Sequence, residues 1–229
     1  MEPALWSSTG AGSIFSTIRV AFFPLFPTFS FFCYIFARKY VKNNGKNNLR
    51  PYRQVKKIGI ISDTHSYWDD RYAEHFKDCD EIWHAGDIGN EKVIDRLASL
   101  APVLRAVWGN ADGQNLRRRF KETEIFSVEG VKVVLTHIGG YPGRYAPGMK
   151  QRLIISQPKI LVCGHSHILK VIPDRYYGVL TINPGAAGTQ GWQKVRTLIT
   201  LSLHEGSIAG CQVIELAPDK EHQFGRILD

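Results

Sequence analysis

The stretch that decides the fold is KIGIISDTH, residues 57–65, in which a short apolar run is followed at once by a carboxylate, a hydroxyl and an imidazole. The run does not alternate between apolar and polar side chains, which is typical of a strand buried on both faces. Ligands of open α/β sheets bind at the carboxyl ends of strands. Asp63 and His65 therefore stand where a site is expected, although a capping Asp beside a surface His would also explain this one motif.

The same pattern recurs four more times along the chain. Apolar runs at 82–85, 103–108, 131–136 and 160–163 are each followed by side chains with a metal-binding oxygen or nitrogen. In chain order these side chains are Asp87, Asn110, His137, His165 and His167. Capping groups and solvated surface residues do not account for five strand-like runs with the same kind of ending. We therefore expect these side chains to converge at one edge of the sheets.

The chemistry of the seven candidate ligands indicates a pair of metal ions. They comprise two carboxylates, one amide and four imidazoles, a set that suits Mn, Zn, Fe or Ni. Seven ligands exceed the needs of one site, because a catalytic zinc typically has three protein ligands and a water. Two ions about 3.5–4 Å apart would use them all if one carboxylate bridges. Cys163 lies within an apolar run and is not expected to be a ligand.

The order of the predicted elements indicates an α/β fold. Strands alternate with helical segments from residue 58, including a helix at 90–100 with Asn90 as its N-cap. A hairpin is predicted around Glu129–Gly130, and residues 168–216 form a succession of strand-like runs. This pattern predicts two packed mixed β-sheets flanked by helices.

Charge and cysteine content restrict the function classes. The net charge of +8 is uneven, because residues 1–57 hold nine Lys and Arg and one acid, which leaves 20 basic and 20 acidic residues of the totals of 29 and 21 for the remainder. A neutral body offers no basic groove, so we expect no specific nucleic-acid partner and find little support for a nuclease. The four cysteines lack Cys-x-x-Cys spacing, which fits reduced thiols in the cytoplasm.

Residues 1–54 are predicted to be an extension that precedes a domain at 55–229. The uncharged run at 20–37 has the minimum length for a spanning helix, but Pro24 and Pro27 interrupt it. If it is a membrane anchor, the basic residues after it keep the domain in the cytoplasm. A disordered tail is an alternative, and so is a translation start set upstream of a natural start near Val55.

Five motifs occur in a fixed order. They are Asp63-Thr64-His65, Gly86-Asp87, Gly109-Asn110-Ala111-Asp112, Thr136-His137 and Gly164-His165-Ser166-His167. In this order they resemble the calcineurin-like metallophosphoesterase superfamily, and more narrowly its small single-domain phosphodiesterase branch. Ile182-Asn183-Pro184-Gly185 also matches that branch, so the resemblance covers essentially all of the body. It implies a four-layer α/β/β/α sandwich of two mixed β-sheets flanked by helices.

The resemblance also implies a ligand set for each of two divalent ions. The first ion would be held by Asp63, His65, Asp87 and His167. The second would be held by Asp87, Asn110, His137 and His165, with Asp87 bridging. Manganese is the expected ion, with zinc, iron and nickel as alternatives.

The implied reaction is hydrolysis of a small phosphoester, more narrowly a phosphodiester, by a hydroxide that bridges the two ions. Asp87 and Asn110 are the predicted catalytic residues. Asp112 is expected to orient a ligand imidazole. Arg144 is expected to pair with a substrate phosphate, with a solvated surface arginine as the alternative.

Two features of the sequence bear on this assignment. Ala111 stands where many relatives have a histidine that helps the leaving group depart, which disfavours poor leaving groups. The retromer subunit with this fold lost ligand residues and kept the scaffold, so a non-catalytic protein-interaction scaffold is the alternative function. The complete ligand set favours the enzyme. Whether the chain forms a homo-oligomer stays open.

Overall fold

The computed structural model describes residues 55–218 and 225–228. The strands are β1 (Lys56–Ile61), β2 (Tyr67–Asp69), β3 (Glu81–His84), β4 (Val103–Ala106), β5 (Thr123–Val128), β6 (Val131–Thr136), β7 (Gly140–Tyr141), β8 (Arg144–Tyr145), β9 (Ile160–Val162), β10 (Lys170–Asp174), β11 (Val179–Asn183), β12 (Arg196–His204), β13 (Ser207–Leu216) and β14 (Gly225–Ile227). The helices are α1 (Arg71–Phe76), α2 (Glu91–Ala98), α3 (Gln114–Arg119) and α4 (Met149–Ser156).

The predicted extension at 1–54, with its apolar run at 20–37, lies outside the described residues. Within the part that the structure describes, none of the helices has the length and apolar character needed to cross a membrane.

Most of the described chain forms two five-stranded mixed sheets, as predicted. In the first sheet the order is β13-β12-β1-β3-β4, with β1, β3 and β4 parallel and the other two strands antiparallel to their neighbours. In the second the order is β10-β11-β9-β6-β5, with β6, β9 and β11 parallel. Loops that follow the parallel strands of one sheet leave from the same end of that sheet, which is where the candidate ligands are expected.

Three apolar layers stack the elements into a four-layer sandwich. Strand β1 shows the division, because Ile61 packs with the helices α1 and α2, whereas Ile58 and Ile60 pack between the two sheets. On the far side of the second sheet, Val134 packs with Leu153 of α4. This arrangement confirms the α/β/β/α architecture, and it explains why the first strand reads as apolar on both faces.

The structure defines three local features. Asn90 is confirmed as the N-cap of α2, since its side-chain oxygen accepts a hydrogen bond of 2.8 Å from the backbone N–H of Lys92. The segment after the first strand forms β2 and then α1. Helix α3 was not predicted, because Leu116 is its one buried residue and a single apolar position has no periodicity.

A glycine in β1 generates a stability prediction. A Cβ on Gly59 would lie 2.6 Å from the ring of Phe76, which is fully buried in the layer between α1 and the first sheet. We expect Gly59→Ala to lower the free energy of unfolding by about 1–3 kcal/mol, because the ring has no space into which it can move. Urea denaturation followed by circular dichroism measures this change.

The matched control is Gly210→Ala in β13 of the same sheet. A Cβ at that position would lie 3.8 Å from its nearest neighbour, an ordinary contact distance. We expect this variant to unfold at the same urea concentration as the wild-type chain or slightly above it. Equal midpoints for the two variants would show that the Gly59–Phe76 contact does not constrain the packing.

Candidate metal centre

All seven predicted ligands lie in loops that follow strands, at the same end of the sandwich. Asp63 and His65 follow β1, Asp87 follows β3, and Asn110 follows β4 in the first sheet. The remaining loops, with His137 after β6 and the histidines at 165 and 167 after β9, come from the second sheet. The site is therefore built across both sheets, and each sheet supplies part of it.

Backbone hydrogen bonds join these loops to one another. The N–H groups of Asp63 and His65 donate to the carbonyls of Gly86 and Asp87, each at 3.0 Å. The N–H of Gly164 donates to the carbonyl of His137, also at 3.0 Å. The loops thus form a hydrogen-bonded framework, in which the position of each ligand depends on its neighbours.

Six of the predicted ligands form two clusters, within each of which the donor atoms lie within 4.8 Å of one another. In the first cluster, Nε2 of His167 lies 3.3 Å from Oδ1 of Asp63 and 3.3 Å from Nε2 of His65. The second cluster contains Asp87, His137 and His165. Asn110 adjoins it, with Oδ1 at 3.1 Å from Nε2 of His137. The structure therefore brings all seven side chains together.

Asp87 belongs to the second cluster and also approaches the first. Its Oδ2 is 3.2 Å from Nε2 of His137 in the second cluster and 3.9 Å from Nε2 of His65 in the first. Its Oδ1 accepts a hydrogen bond of 2.8 Å from the backbone N–H of Ala111. That bond fixes the orientation of the carboxylate, so that the other oxygen faces both clusters.

The hydrogen-bond partners of His137 show that a cation fits the second cluster. Its Nδ1 lies 2.8 Å from the carbonyl oxygen of Ala85, which can only accept, so Nδ1 carries the proton of the neutral ring. The lone pair of Nε2 then points at oxygens of Asp87 and Asn110, at 3.2 and 3.1 Å. Three lone-pair atoms that face one another at these distances suit a divalent ion with mixed oxygen and nitrogen ligands.

His167 is oriented in the same way by Gln193. The Nδ1 atom of His167 lies 3.1 Å from Oε1 of Gln193. The amide nitrogen of Gln193 donates to the carbonyls of Gly188 and Gln190, at 3.0 and 2.6 Å, which turns its oxygen towards the imidazole. The proton of His167 therefore lies on Nδ1, and Nε2 is left to face Asp63. Sequence reasoning missed Gln193, because it belongs to no motif and lies 26 positions from its partner.

The environment shifts the pKa of several ligands. Burial lowers the pKa of His65, although the charges of Asp87 and Asp63 oppose this effect. The carboxylate of Asp63 beside Nε2 stabilises the protonated ring and so raises the pKa of His167. Burial acts to raise the pKa of Asp87, but the neighbouring imidazole of His137 and the hydrogen bond from the N–H of Ala111 outweigh it, so the pKa is lowered and the group is a carboxylate at neutral pH.

Five of the ligands have strained backbone conformations. Asp63, His65, Asp87, His165 and His167 all lie in the left-handed region, with φ between 46° and 68°. This conformation costs a residue other than glycine about 1–2 kcal/mol. Strain of this kind persists only where surrounding contacts enforce it, and it is typical of functional sites.

Two motif positions require glycine because neighbouring side chains lie against the backbone there. A Cβ on Gly109 would overlap the carboxylate of Asp87, and one on Gly164 would overlap the side chains of Ser62 and Asp63. The glycines that precede Asn110 and His165 therefore allow backbone to lie directly against the metal-facing carboxylates.

Asp112, predicted to orient a ligand imidazole, lies beside the ligand loops and binds their backbone. Both of its carboxylate oxygens accept hydrogen bonds from backbone amides, Oδ1 from Gly89 at 2.7 Å and Oδ2 from Gly109 at 2.8 Å. Both oxygens of Asp112 are thus engaged by backbone amides of the ligand loops, and among the described hydrogen bonds neither reaches an imidazole. Asp112 holds the loops, and Arg117 assists by donating to the carbonyls of Asp112 and Asn110.

The side chain of His84 links two of the ligand loops by hydrogen bonds. The backbone N–H of Gly86 donates to its Nδ1 at 3.2 Å, so the ring proton lies on Nε2, which donates to the hydroxyl of Thr64 at 3.0 Å. That hydroxyl donates in turn to the carbonyl of Ile88. Burial lowers the pKa of His84 to about 3, so the ring is neutral and acts as a structural link.

Arg144 lies outside the ligand clusters. It is exposed on the hairpin formed by β7 and β8 and lines, together with His165, a cavity of about 280 Å³. The structure thus places the predicted substrate-binding residue beside the second cluster, separate from the side chains that compose it.

Comparisons with known proteins agree with this geometry. Residues 57–206 match the family model described as calcineurin-like phosphoesterase superfamily domain. A probable metallophosphoesterase of Methanocaldococcus jannaschii is 34% identical over 138 residues, which cover 56% of this chain and 67% of that protein. A phosphodiesterase of the same organism is 26% identical over 146 residues, covering 56% of this chain and 82% of that protein.

Solved structures with the same fold include a phosphodiesterase and Vps29 proteins. A novel archaeal phosphodiesterase is 23% identical, with a TM-score of 0.53, and the match covers 70% of this chain and 99% of that one. Vps29 from Cryptosporidium parvum is 18% identical, with a TM-score of 0.56 and coverage of 72% and 99%. At these identities the structures show the fold alone. The family model, the metallophosphoesterase relative and the converging ligands together show that this chain belongs to the calcineurin-like phosphoesterase superfamily.

Proposed function

We propose that this protein is a phosphodiesterase with a dinuclear metal centre, acting on a small phosphoester. Membership of the superfamily and the relatives described as metallophosphoesterase and phosphodiesterase support a metal-dependent phosphoesterase. The observation that carries the dinuclear proposal is the position of Asp87, one of whose oxygens faces both ligand clusters.

The residues divide between two ions as the clusters do. Asp63, His65 and His167 would hold one ion, and His137, His165 and Asn110 the other, with Asp87 shared. A pair of divalent cations, most simply manganese, would supply Lewis-acid charge to the phosphoryl oxygens and lower the pKa of a water so that hydroxide is available near neutral pH.

The chain's own groups would position the substrate for attack by hydroxide on the phosphorus atom. The amide oxygen of Asn110 faces His137, which turns its NH₂ group towards the exposed side of the residue, where it can donate to a phosphoryl oxygen. As the bond from the attacking oxygen to phosphorus forms, the ester bond breaks. At position 111 the methyl group of alanine offers no proton to the departing oxygen, so leaving groups that are stable as anions are favoured.

The alternative is a protein-interaction scaffold, because Vps29 has the same fold. Metal binding alone does not separate the two functions, since the Vps29 of Entamoeba histolytica has been solved as a complex with zinc. Turnover does separate them. The complete set of seven ligands favours the enzyme.

Replacement of the shared carboxylate tests the dinuclear proposal. We expect Asp87→Ala to lower kcat for bis(p-nitrophenyl) phosphate by at least about 10³-fold, because charge stabilisation by both ions depends on this group. Bound manganese, measured by elemental analysis after desalting, should fall from two ions per chain to one or none.

The control is Asp95→Ala, which removes an exposed carboxylate on α2 whose partner is Arg119. This variant should retain both ions and wild-type turnover. Full activity of Asp87→Ala would refute the shared ligand. A wild-type chain that binds two ions and hydrolyses neither this diester nor other phosphoesters would favour the scaffold.

Gln193 provides a second test, aimed at one half of the site. We expect Gln193→Leu to weaken manganese binding about 10–100-fold at the site of His167, since the imidazole loses the acceptor that holds its proton on Nδ1. Gln193→Glu keeps an acceptor and should bind more tightly than Gln193→Leu. Isothermal titration calorimetry of the metal-free chain measures both affinities.

Gln190→Leu is the matched control, because it makes the same substitution at an exposed glutamine that contacts Gln193 through its backbone carbonyl. Its manganese affinity should equal that of the wild-type chain. Identical affinities for Gln193→Leu and Gln190→Leu would show that Gln193 does not act on the metal site.

A further inference from the structure

The cavity beside the second ligand cluster is bordered by cationic side chains and by no acidic ones. Its volume is about 280 Å³, and His165, a member of that cluster, forms part of its wall. The polar side chains around it include Arg144, Lys170 and Ser166, and its lining contains neither aspartate nor glutamate. A cavity that opens on a phosphoester site and is bordered by cations is suited to a negatively charged part of the substrate.

The two cations have no acidic partner within residues 55–218 and 225–228. The ammonium of Lys170 lies 3.9 Å from the centre of the Tyr141 ring, which holds it at the wall of the cavity while leaving its hydrogen-bond capacity unused. Arg144 and Tyr141 are opposite each other in the β7–β8 hairpin, and among the described residues no ion pair involves the guanidinium of Arg144. Both charges are therefore available to a ligand.

Ser166 adds a third donor. Its oxygen accepts hydrogen bonds from the side-chain amide of Asn183 at 3.1 Å and from the backbone N–H of Ile168 at 3.3 Å. With both acceptor positions used, its own O–H is left to donate. Asn183 donates to Gly164 as well and accepts from Gly185, so its capacity is used within the loop. Ser166, Arg144 and Lys170 thus present donors to this cavity.

A second cavity differs from this one in the charge of its lining. It has a volume of about 370 Å³ and is lined by Lys92, Asp95, Arg96, Ser99 and Leu228. It contains both charge signs and none of the candidate ligands. Its mixed lining gives no indication of one ligand chemistry, whereas the cavity beside His165 does.

We propose that this cavity is a binding site for a second oxyanion, so that the preferred substrate is a phosphodiester with a further phosphate on one ester arm. This inference rests on the proposed function, because it takes the ligand clusters as the position of the scissile phosphoryl group. Arg144, Lys170 and Ser166 bind the second anion and thereby select the substrate. A volume of about 280 Å³ is sufficient for one phosphate-sized substituent of a substrate that extends out of the cavity.

The test uses two substrates that differ in one phosphate. They are the 5′-(p-nitrophenyl phosphate) ester of thymidine and the same compound with a 3′-phosphate, both assayed with the manganese-loaded full chain. We expect kcat/KM to be at least about tenfold higher for the compound with the 3′-phosphate. Arg144→Ala combined with Lys170→Ala should reduce this preference to about twofold or less. Because the ratio is measured within one preparation, partial unfolding or metal loss cancels.

The control variant is Arg175→Ala, which removes an exposed arginine in the turn between β10 and β11, outside the cavity lining. It should keep the wild-type preference, which separates local binding from loss of overall positive charge. Equal kcat/KM for the two substrates in the wild-type chain, or an unchanged preference in the double variant, would overturn the inference while leaving the phosphodiesterase proposal in place.

Direct binding distinguishes failure of the reaction from failure of the cavity. If the wild-type chain hydrolyses neither these compounds nor bis(p-nitrophenyl) phosphate and other phosphoesters, the phosphodiesterase proposal fails, and calorimetry still decides the inference. Thymidine 3′,5′-bisphosphate should then bind at least about tenfold more tightly than thymidine 5′-monophosphate, and the double variant should bind the two equally. Equal affinities in the wild-type chain would refute the second oxyanion site.

Discussion

The electrostatic arrangement around Asp87 is the constraint on which the rest of the site depends. One of its oxygens faces imidazoles of both clusters, at 3.2 and 3.9 Å, while the other is held by the N–H of Ala111. In the neutral ring of His137 the proton is held by the carbonyl of Ala85, so the lone pair of Nε2 is directed at the carboxylate. Lone pairs arranged in this way repel one another unless positive charge lies between them. The site is therefore preorganised for cations, and the surrounding chain bears the cost of that preorganisation.

Contacts in the surrounding structure stabilise this arrangement of ligands. Five ligands lie in the left-handed region of backbone conformation, and they are kept there by hydrogen bonds between loops of the two sheets. His84 and Asp112 contribute by pairing loop amides and a hydroxyl that would otherwise be buried without partners. Each sheet supplies part of the ligand set, so the sandwich must be assembled before the site exists. Packing such as that of Gly59 against Phe76 thus supports the chemistry indirectly.

The sequence predicted the parts of this arrangement that are encoded locally. An apolar run followed by a ligand residue is visible within nine residues. Its repetition identified the six side chains of the two clusters, the adjoining Asn110 and the sheets that carry them. The partners of these side chains were not predictable in the same way. Gln193 contacts His167 from a loop without a motif, Lys170 reaches the cavity through the fold, and Asp112 turns to the amides of Gly89 and Gly109. These contacts depend on how loops from distant positions meet, and short helices such as α3 carry too little periodicity to be recognised.

The central claim is that two ions share the carboxylate of Asp87. Anomalous diffraction from a crystal of the manganese-loaded chain, measured at the manganese absorption edge, tests it most directly. The account predicts two anomalous peaks about 3.5–4 Å apart, one in the cluster of Asp63, His65 and His167 and one in the cluster of His137 and His165, both within coordination distance of Asp87. A single peak, or two peaks that do not share an oxygen of Asp87, would contradict it.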